Sequence, residues 1–107
     1  MALIVHEVAL ELIAELRPLI PSIARYDKNL ATQLRRCASS VVLNIAEGEY
    51  SDPGTQRARL HSAAGSAGET RSALRVATGW RYLSEEQALG SLALLDRVIA
   101  MLWKLTH

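Results

Sequence analysis

Apolar residues recur every three to four positions along most of the chain, in four stretches separated by residues that stop helices. That spacing places them on one side of a 3.6-residue turn, so each stretch predicts an amphipathic helix with a buried stripe. The first carries Ile4, Val8, Leu12 and Leu16, then Leu19 and Ile23 beyond Pro18. Pro18 disfavours helical geometry at Arg17 and removes a backbone donor, and Pro21 repeats the effect. A helix is predicted over about 3–25, with a kink or a break at 17–21 that the pattern does not decide. The second stretch opens at Asp27, a good N-cap, and runs through Leu30, Leu34, Ala38, Val41 and Ile45 to a stop at Gly48, predicting 27–47. The third opens with Asp52-Pro53 and carries Leu60, Ala63, Ala67, Leu74 and Ala77, predicting 53–80. The fourth opens at Ser84, which forms a capping-box pattern with Gln87, and carries Leu89, Leu92, Leu95, Ile99 and Leu102 over 84–105. Short links between helices favour antiparallel neighbours, so the expected fold is all-α, an antiparallel up-down-up-down four-helix bundle spanning 1–107 as one domain.

Composition agrees with close helix packing. Half of the 107 residues are apolar and most of these are Ala, Leu, Val and Ile, with no Phe, two Trp and three Tyr. A chain of this length builds one core and has no surplus for a second. Twelve Lys and Arg against eleven Asp and Glu leave a net charge of +1, too little for total charge alone to imply nucleic acid. The charge is segregated, however. Between Pro53 and Leu83 stand Arg57, Arg59, Arg71, Arg75 and Arg81 against one acid, Glu69, whereas Met1–Glu15 holds three glutamates and no Lys or Arg. Such a field can steer an anionic partner, or it can be an ordinary solvated face. Cys37 is the single cysteine, which excludes an internal disulfide or a cysteine-based zinc site. No signal-peptide pattern and no apolar run of membrane-spanning length is present, so a cytoplasmic protein without a membrane partner is expected.

The strongest candidate constellation lies on the second helix. Gln33, Arg36, Ser40, Asn44 and Glu47 recur at three to four residues beside the apolar stripe, a pattern suited to a hydrogen-bonded interface network. The alternative is a solvent face, although such faces usually hold Lys and Glu. Arg36 and Glu47 are too far apart to pair with each other, so Glu69 is the expected partner of Arg36, and Arg71 or Arg75 that of Glu47. Gly65 and Gly68 sit inside the third helix, where each costs about 1 kcal/mol relative to Ala. Close approach of another helix at Gly65 and Ser66 would offset that cost; the alternative is a merely weak helix. Catalytic residues, cofactors and metals are not expected. His6, His61 and His107 lie on different segments, no second ligand supports haem, and no Glu-x-x-His pair suggests a di-metal site. Cys37, one turn past Leu34, reads as a small buried thiol rather than a nucleophile.

Gln33-Leu34-Arg35-Arg36-Cys37-Ala38-Ser39-Ser40-Val41 followed by Asn44-Ile45-Ala46-Glu47-Gly48 resembles the "QLRRA..S…NIAEG" signature of the four-helix bundle proteins found in intervening sequences of bacterial large-subunit rRNA genes. Ala64-Gly65-Ser66 with Glu69 is similar to that family's second motif, "A.GS..E", and Tyr82-Leu83 to the pair that leads into its last helix. The motifs cover about Asp27 to Leu83. The resemblance implies an up-down-up-down bundle that forms ring-like homopentamers. It also implies kinship with the accessory protein of diversity-generating retroelements, a bundle that partners a reverse transcriptase and binds nucleic acid through basic surface. Arg81 departs from the glycine common before that Tyr, so the exit of the third helix is expected to differ. The chain is also far less basic than the retroelement partner.

A non-catalytic, homo-oligomeric accessory protein is therefore expected. Its partners would be structured RNA or DNA, or an enzyme acting on nucleic acid. Arg35, Arg57, Arg59, Arg71, Arg75 and Arg81 are the candidate phosphate contacts. Gln33, Arg36, Ser40, Asn44, Glu47, Gly65, Ser66 and Glu69 form the candidate interface network. A protein-interaction scaffold without a nucleic-acid role is the alternative.

Overall fold

The computed structural model describes the backbone of residues 2–107 and the side chains of residues 4–107. Five helices follow one another: α1 (Ala2–Leu16), α2 (Leu19–Ala24), α3 (Lys28–Glu49), α4 (Pro53–Gly79) and α5 (Glu85–Thr106), with no strand among the described residues. The two prolines break the first segment rather than kink it. Arg17 and Pro18 form a turn, with the Arg17 amide closing α1 on the Ile13 carbonyl at 3.0 Å. Pro21 then falls in the first turn of α2, where a missing N–H leaves no bond unmade.

The remaining helix starts follow their caps. Asp27 Oδ1 accepts from the Leu30 amide at 2.9 Å, Asp52 Oδ1 accepts from the Thr55 amide at 3.0 Å, and Ser84 with Gln87 forms a reciprocal capping box. The ends are less regular. Gly48 does not stop α3: it is helical and buried, and α3 continues to Glu49. A Cβ at Gly48 would lie 3.3 Å from Arg59 Cβ and 3.4 Å from the Gln56 carbonyl oxygen, so this glycine lets α4 pass close to α3. At the end of α4 the Tyr82 amide donates to the Ala77 carbonyl at 2.9 Å and the Arg81 amide to Thr78 at 3.0 Å. This is a Schellman closure, with Arg81 at φ 64° in the left-handed position that a glycine fills without strain. The residue departs from glycine while the exit keeps a glycine-type backbone, contrary to the expected change of geometry.

The core is aliphatic and continuous. Val5, Val8, Ala9, Leu12 and Leu16 of α1, Leu34, Val41 and Ile45 of α3, Leu60, Ala67 and Leu74 of α4, and Leu95, Val98 and Leu102 of α5 are buried together. Two expected core positions are corrected. Ile4 is 58% exposed with Val5 inside in its place, and Leu89 is 62% exposed with Ala88 inside. In both cases only that end position moves, to the adjacent residue, while Val8, Leu12 and Leu16 of α1 and Leu95 and Leu102 of α5 stay buried as expected. Helix α3 packs on α4, α4 on α5, α5 on α1, and α1 and α2 return to α3, which closes a circuit of contacts around that core. The long dimension, 42 Å, is about the length of α4 alone (~1.5 Å per residue), so the molecule is one helix long.

Candidate binding face along helix α3

Buried residues take one side of α3, which leaves the opposite side as a polar strip interrupted by the exposed Leu43. The strip floors an open groove of about 630 Å³ lined by Thr32, Arg35, Arg36, Ser39, Ser40, Leu43, Asn44 and Glu47 of α3 and by Arg59 of α4. Four of the five α3 residues of the expected network line it. Gln33 does not, and is exposed beside it.

The network is smaller than expected and joins α3 to α4. Asn44 Nδ2 donates to the Ser40 carbonyl at 2.9 Å and to Ser40 Oγ at 3.0 Å, while Ser66 Oγ of α4 donates to Ser40 Oγ at 2.9 Å. All three side chains are half-buried. One turn on, Thr70 Oγ1 donates to the Ser66 carbonyl at 2.7 Å, and no buried side-chain polar atom among the described residues lacks a partner. Below Thr70 lies Cys37. Burial pushes its thiol above the usual 9.0, opposed by a hydrogen bond with Thr70 and reinforced by the charge of Glu69. A buried neutral thiol of this kind is a poor nucleophile.

The expected ion pairs are replaced by others. Glu47 pairs with Arg59 at 3.3 Å, not with Arg71 or Arg75, because the close passage at Gly48 brings Arg59 over the end of α3. Arg71 instead crosses to Asp96 of α5 at 3.1 Å. Glu69 does not reach Arg36: both are exposed, and neither is in an ion pair among the described residues. Gly65 and Gly68 are not approached by another helix of the same chain. Both face solvent, and a Cβ on either would meet nothing within 4 Å.

The six candidate phosphate-contact arginines do not form one patch. Arg35 and Arg59 line the groove, whereas Arg57 and Arg75 stand about 160° around α4 from Arg59 at ~100° per residue. Arg71 is held by Asp96, and Arg81 is exposed at the far turn. In the groove, Arg35 and Arg36 are adjacent cations in no ion pair among the described residues, with the hydroxyls of Thr32 and Ser39 beside them; Glu47, which lines the same groove, is paired with Arg59. Sequence reasoning omitted Thr32, Ser39 and Leu43, although their three-to-four spacing with Arg36 and Glu47 marks the same side of α3.

Two aromatic clusters lie outside the groove. Tyr26 stacks on Tyr82 with ring centroids 5.2 Å apart, and His107 stacks on Trp103 while meeting His61 edge-on at 5.9 Å. Among the described residues, no three His, Cys, Asp or Glu side chains gather to hold a metal ion, and no helix is long and apolar enough to cross a membrane.

No curated protein sequence matches this chain. Among solved structures, a protein with unknown function from the S23 ribosomal protein family of Bacteroides thetaiotaomicron superposes with a TM-score of 0.88 at 21% identity, over 95% of this chain and 97% of that one. The likeness shows a shared fold. The family model of the 23S rRNA-intervening sequence proteins matches residues 1–104, and the chain belongs to that family.

Proposed function

We propose that the chain is a non-catalytic binding module, an antiparallel up-down-up-down four-helix bundle in which α1 and α2 form one broken arm. The short links and the closed circuit of contacts support that topology. The α3 groove takes the phosphates of a structured nucleic acid. The observation that carries this reading is the Arg35–Arg36 pair, two adjacent exposed cations in no ion pair among the described residues, in a groove that also holds the hydroxyls of Thr32 and Ser39. Planar guanidinium groups bind phosphate in a fork, and neutral donors beside them complete the oxygen contacts.

Assembly into a homo-oligomer, a pentamer by the family resemblance, multiplies that modest charge. It is supported by Gly65 and Gly68, which each cost about 1 kcal/mol in a helix and touch nothing within the chain. A second copy lying on that smooth side of α4 would offset the cost. Kinship with the retroelement accessory protein fits the same reading. The test is binding to a structured RNA across a salt series. Affinity should fall as salt rises, and Arg35→Gln with Arg36→Gln should flatten the slope. Undetectable binding at low salt, or binding indifferent to salt, would sink the proposal. A protein-interaction scaffold is the second reading, favoured by Leu43, which lies 60% exposed in the groove.

A further inference from the structure

A second concavity opens on the other flank of α3, where the first arm is broken. An α-helix cannot carry its hydrogen-bond ladder through Pro18, and the turn at Arg17–Pro18 separates the end of α1 from α2. Opposite the break, α3 presents Ala38 and Ser39, too small to fill the space. The result is a slot of about 380 Å³ with walls of Ile13, Leu16, Ile20, Pro21, Leu34 and Ala38. Its volume falls within the ~300–1,000 Å³ range of small-molecule sites.

Its charges are all of one sign. Arg17 and Arg35 are the charged residues that line the slot, Ser39 is its hydroxyl, and no carboxylate lines it. Both arginines are exposed, and neither is in an ion pair among the described residues. An apolar wall excludes water and lowers the local dielectric, which strengthens the pull of a nearby cation on an anion. We infer that this slot takes the apolar tail of a free medium-chain carboxylate, its head held by Arg17 and Arg35. Nucleic acid carries no tail to fill the walls, so the site is separate from the phosphate groove although Arg35 borders both. A bilayer does not fit either, because the apolar surface here is recessed rather than protruding.

The experiment titrates the full chain with decanoate below its micelle concentration, following the methyl signals of Ile13, Ile20 and Leu34. Saturable one-to-one binding confined to the slot is expected. Decan-1-ol should bind roughly tenfold more weakly, because it offers no charge to the arginines. Arg17→Gln with Arg35→Gln should lose a similar factor for decanoate and none for decan-1-ol. Arg36→Gln, which borders only the phosphate groove, should bind decanoate normally. Ala38→Leu fills the slot and should abolish binding. Ser39→Trp, at the exposed rim, gives the same test without touching the core. Unsaturable shifts over the whole surface, equal affinity for decanoate and decan-1-ol, or unimpaired binding by both blocked variants would overturn the proposal. So would sedimentation with anionic phosphatidylglycerol vesicles in place of decanoate binding, or a slot closed by self-association that excludes decanoate.

Discussion

Replacing Arg81 with glycine should stabilise the protein, although it deletes a long side chain and adds none. Arg81 holds φ 64° because the Schellman closure of α4 needs a left-handed residue between Trp80 and Tyr82. For a residue with a Cβ that conformation costs about 1–2 kcal/mol, and glycine adopts it freely. Glycine also has more unfolded-state freedom to lose, which returns about 0.5–1 kcal/mol. Arg81 is exposed and in no ion pair among the described residues, so no contact energy enters the balance. The net gain is about 0.5–1 kcal/mol, or roughly 2–6 °C in Tm for a domain near 100 residues. Thermal and urea unfolding at a fixed protein concentration measure it, the second with an unchanged m-value. Arg81→Ala is the control, since alanine bears the same Cβ and should gain little. If the glycine variant melts no higher than the parent, or alanine gains as much as glycine, the backbone account is wrong and the charge matters instead.

Ser40→Ala and Asn44→Ala should each cost about 1 kcal/mol, and the double variant less than the sum, since both interrupt one hydrogen-bonded chain; equilibrium unfolding decides. Arg36→Ala, exposed and unpaired, should stay within about 0.5 kcal/mol of the parent by the same assay. Gly65→Ala and Gly68→Ala should each raise subunit stability by about 1 kcal/mol while lowering the assembled mass seen by light scattering. Hydrogen bonds from Thr55 hold the Asp52 carboxyl below its usual 3.8, so the cap's contribution is complete above that value and disappears as pH falls through the lower, folded-state range. Acid unfolding of Asp52→Asn should show a weaker pH dependence than the parent in that window. Cys37 should resist iodoacetamide at neutral pH until the chain is unfolded by urea, because burial keeps it a neutral thiol.

Local signals carried much of the architecture. Asp27, Asp52-Pro53 and Ser84 with Gln87 mark three helix starts because a capping side chain bonds to an amide three residues away. Pro18 and Pro21 announce an interruption for an equally local reason. What failed depended on distance in sequence. Gly48 looks like a helix stop until α4 is placed beside it, and any helix that approaches Gly65 is not one of this chain's own. The pairings of Glu47 with Arg59 and of Arg71 with Asp96 are set by helix phase and by where two axes pass closest, which single-chain periodicity does not encode. The groove was half legible: the polar strip on α3 was readable from its spacing, but the contribution of Arg59 and the lack of an ion pair at Arg35 and Arg36 were not.

The residues that carry the family signature divide into two kinds once their surroundings are known. Ser40, Glu47, Gly48 and Ser66 fasten α3 to α4, through two serine hydroxyls, one ion pair and one backbone approach, and Asn44 braces Ser40 from within α3. Their presence is explained by folding and gives no argument for a partner. Gln33, Arg36, Gly65 and Glu69 are exposed, and none has a side-chain hydrogen bond or ion pair among the described residues. A charged side chain on an open helix face contributes little to folding, and an interior glycine detracts from it. If these four serve function, they do so between molecules, and α3 and α4 present them on one connected side. Variants of the first kind should therefore alter melting before they alter assembly; variants at Gln33, Arg36 and Glu69 should alter assembly or binding at unchanged melting of the subunit, and Gly65→Ala should weaken assembly while the subunit melts higher.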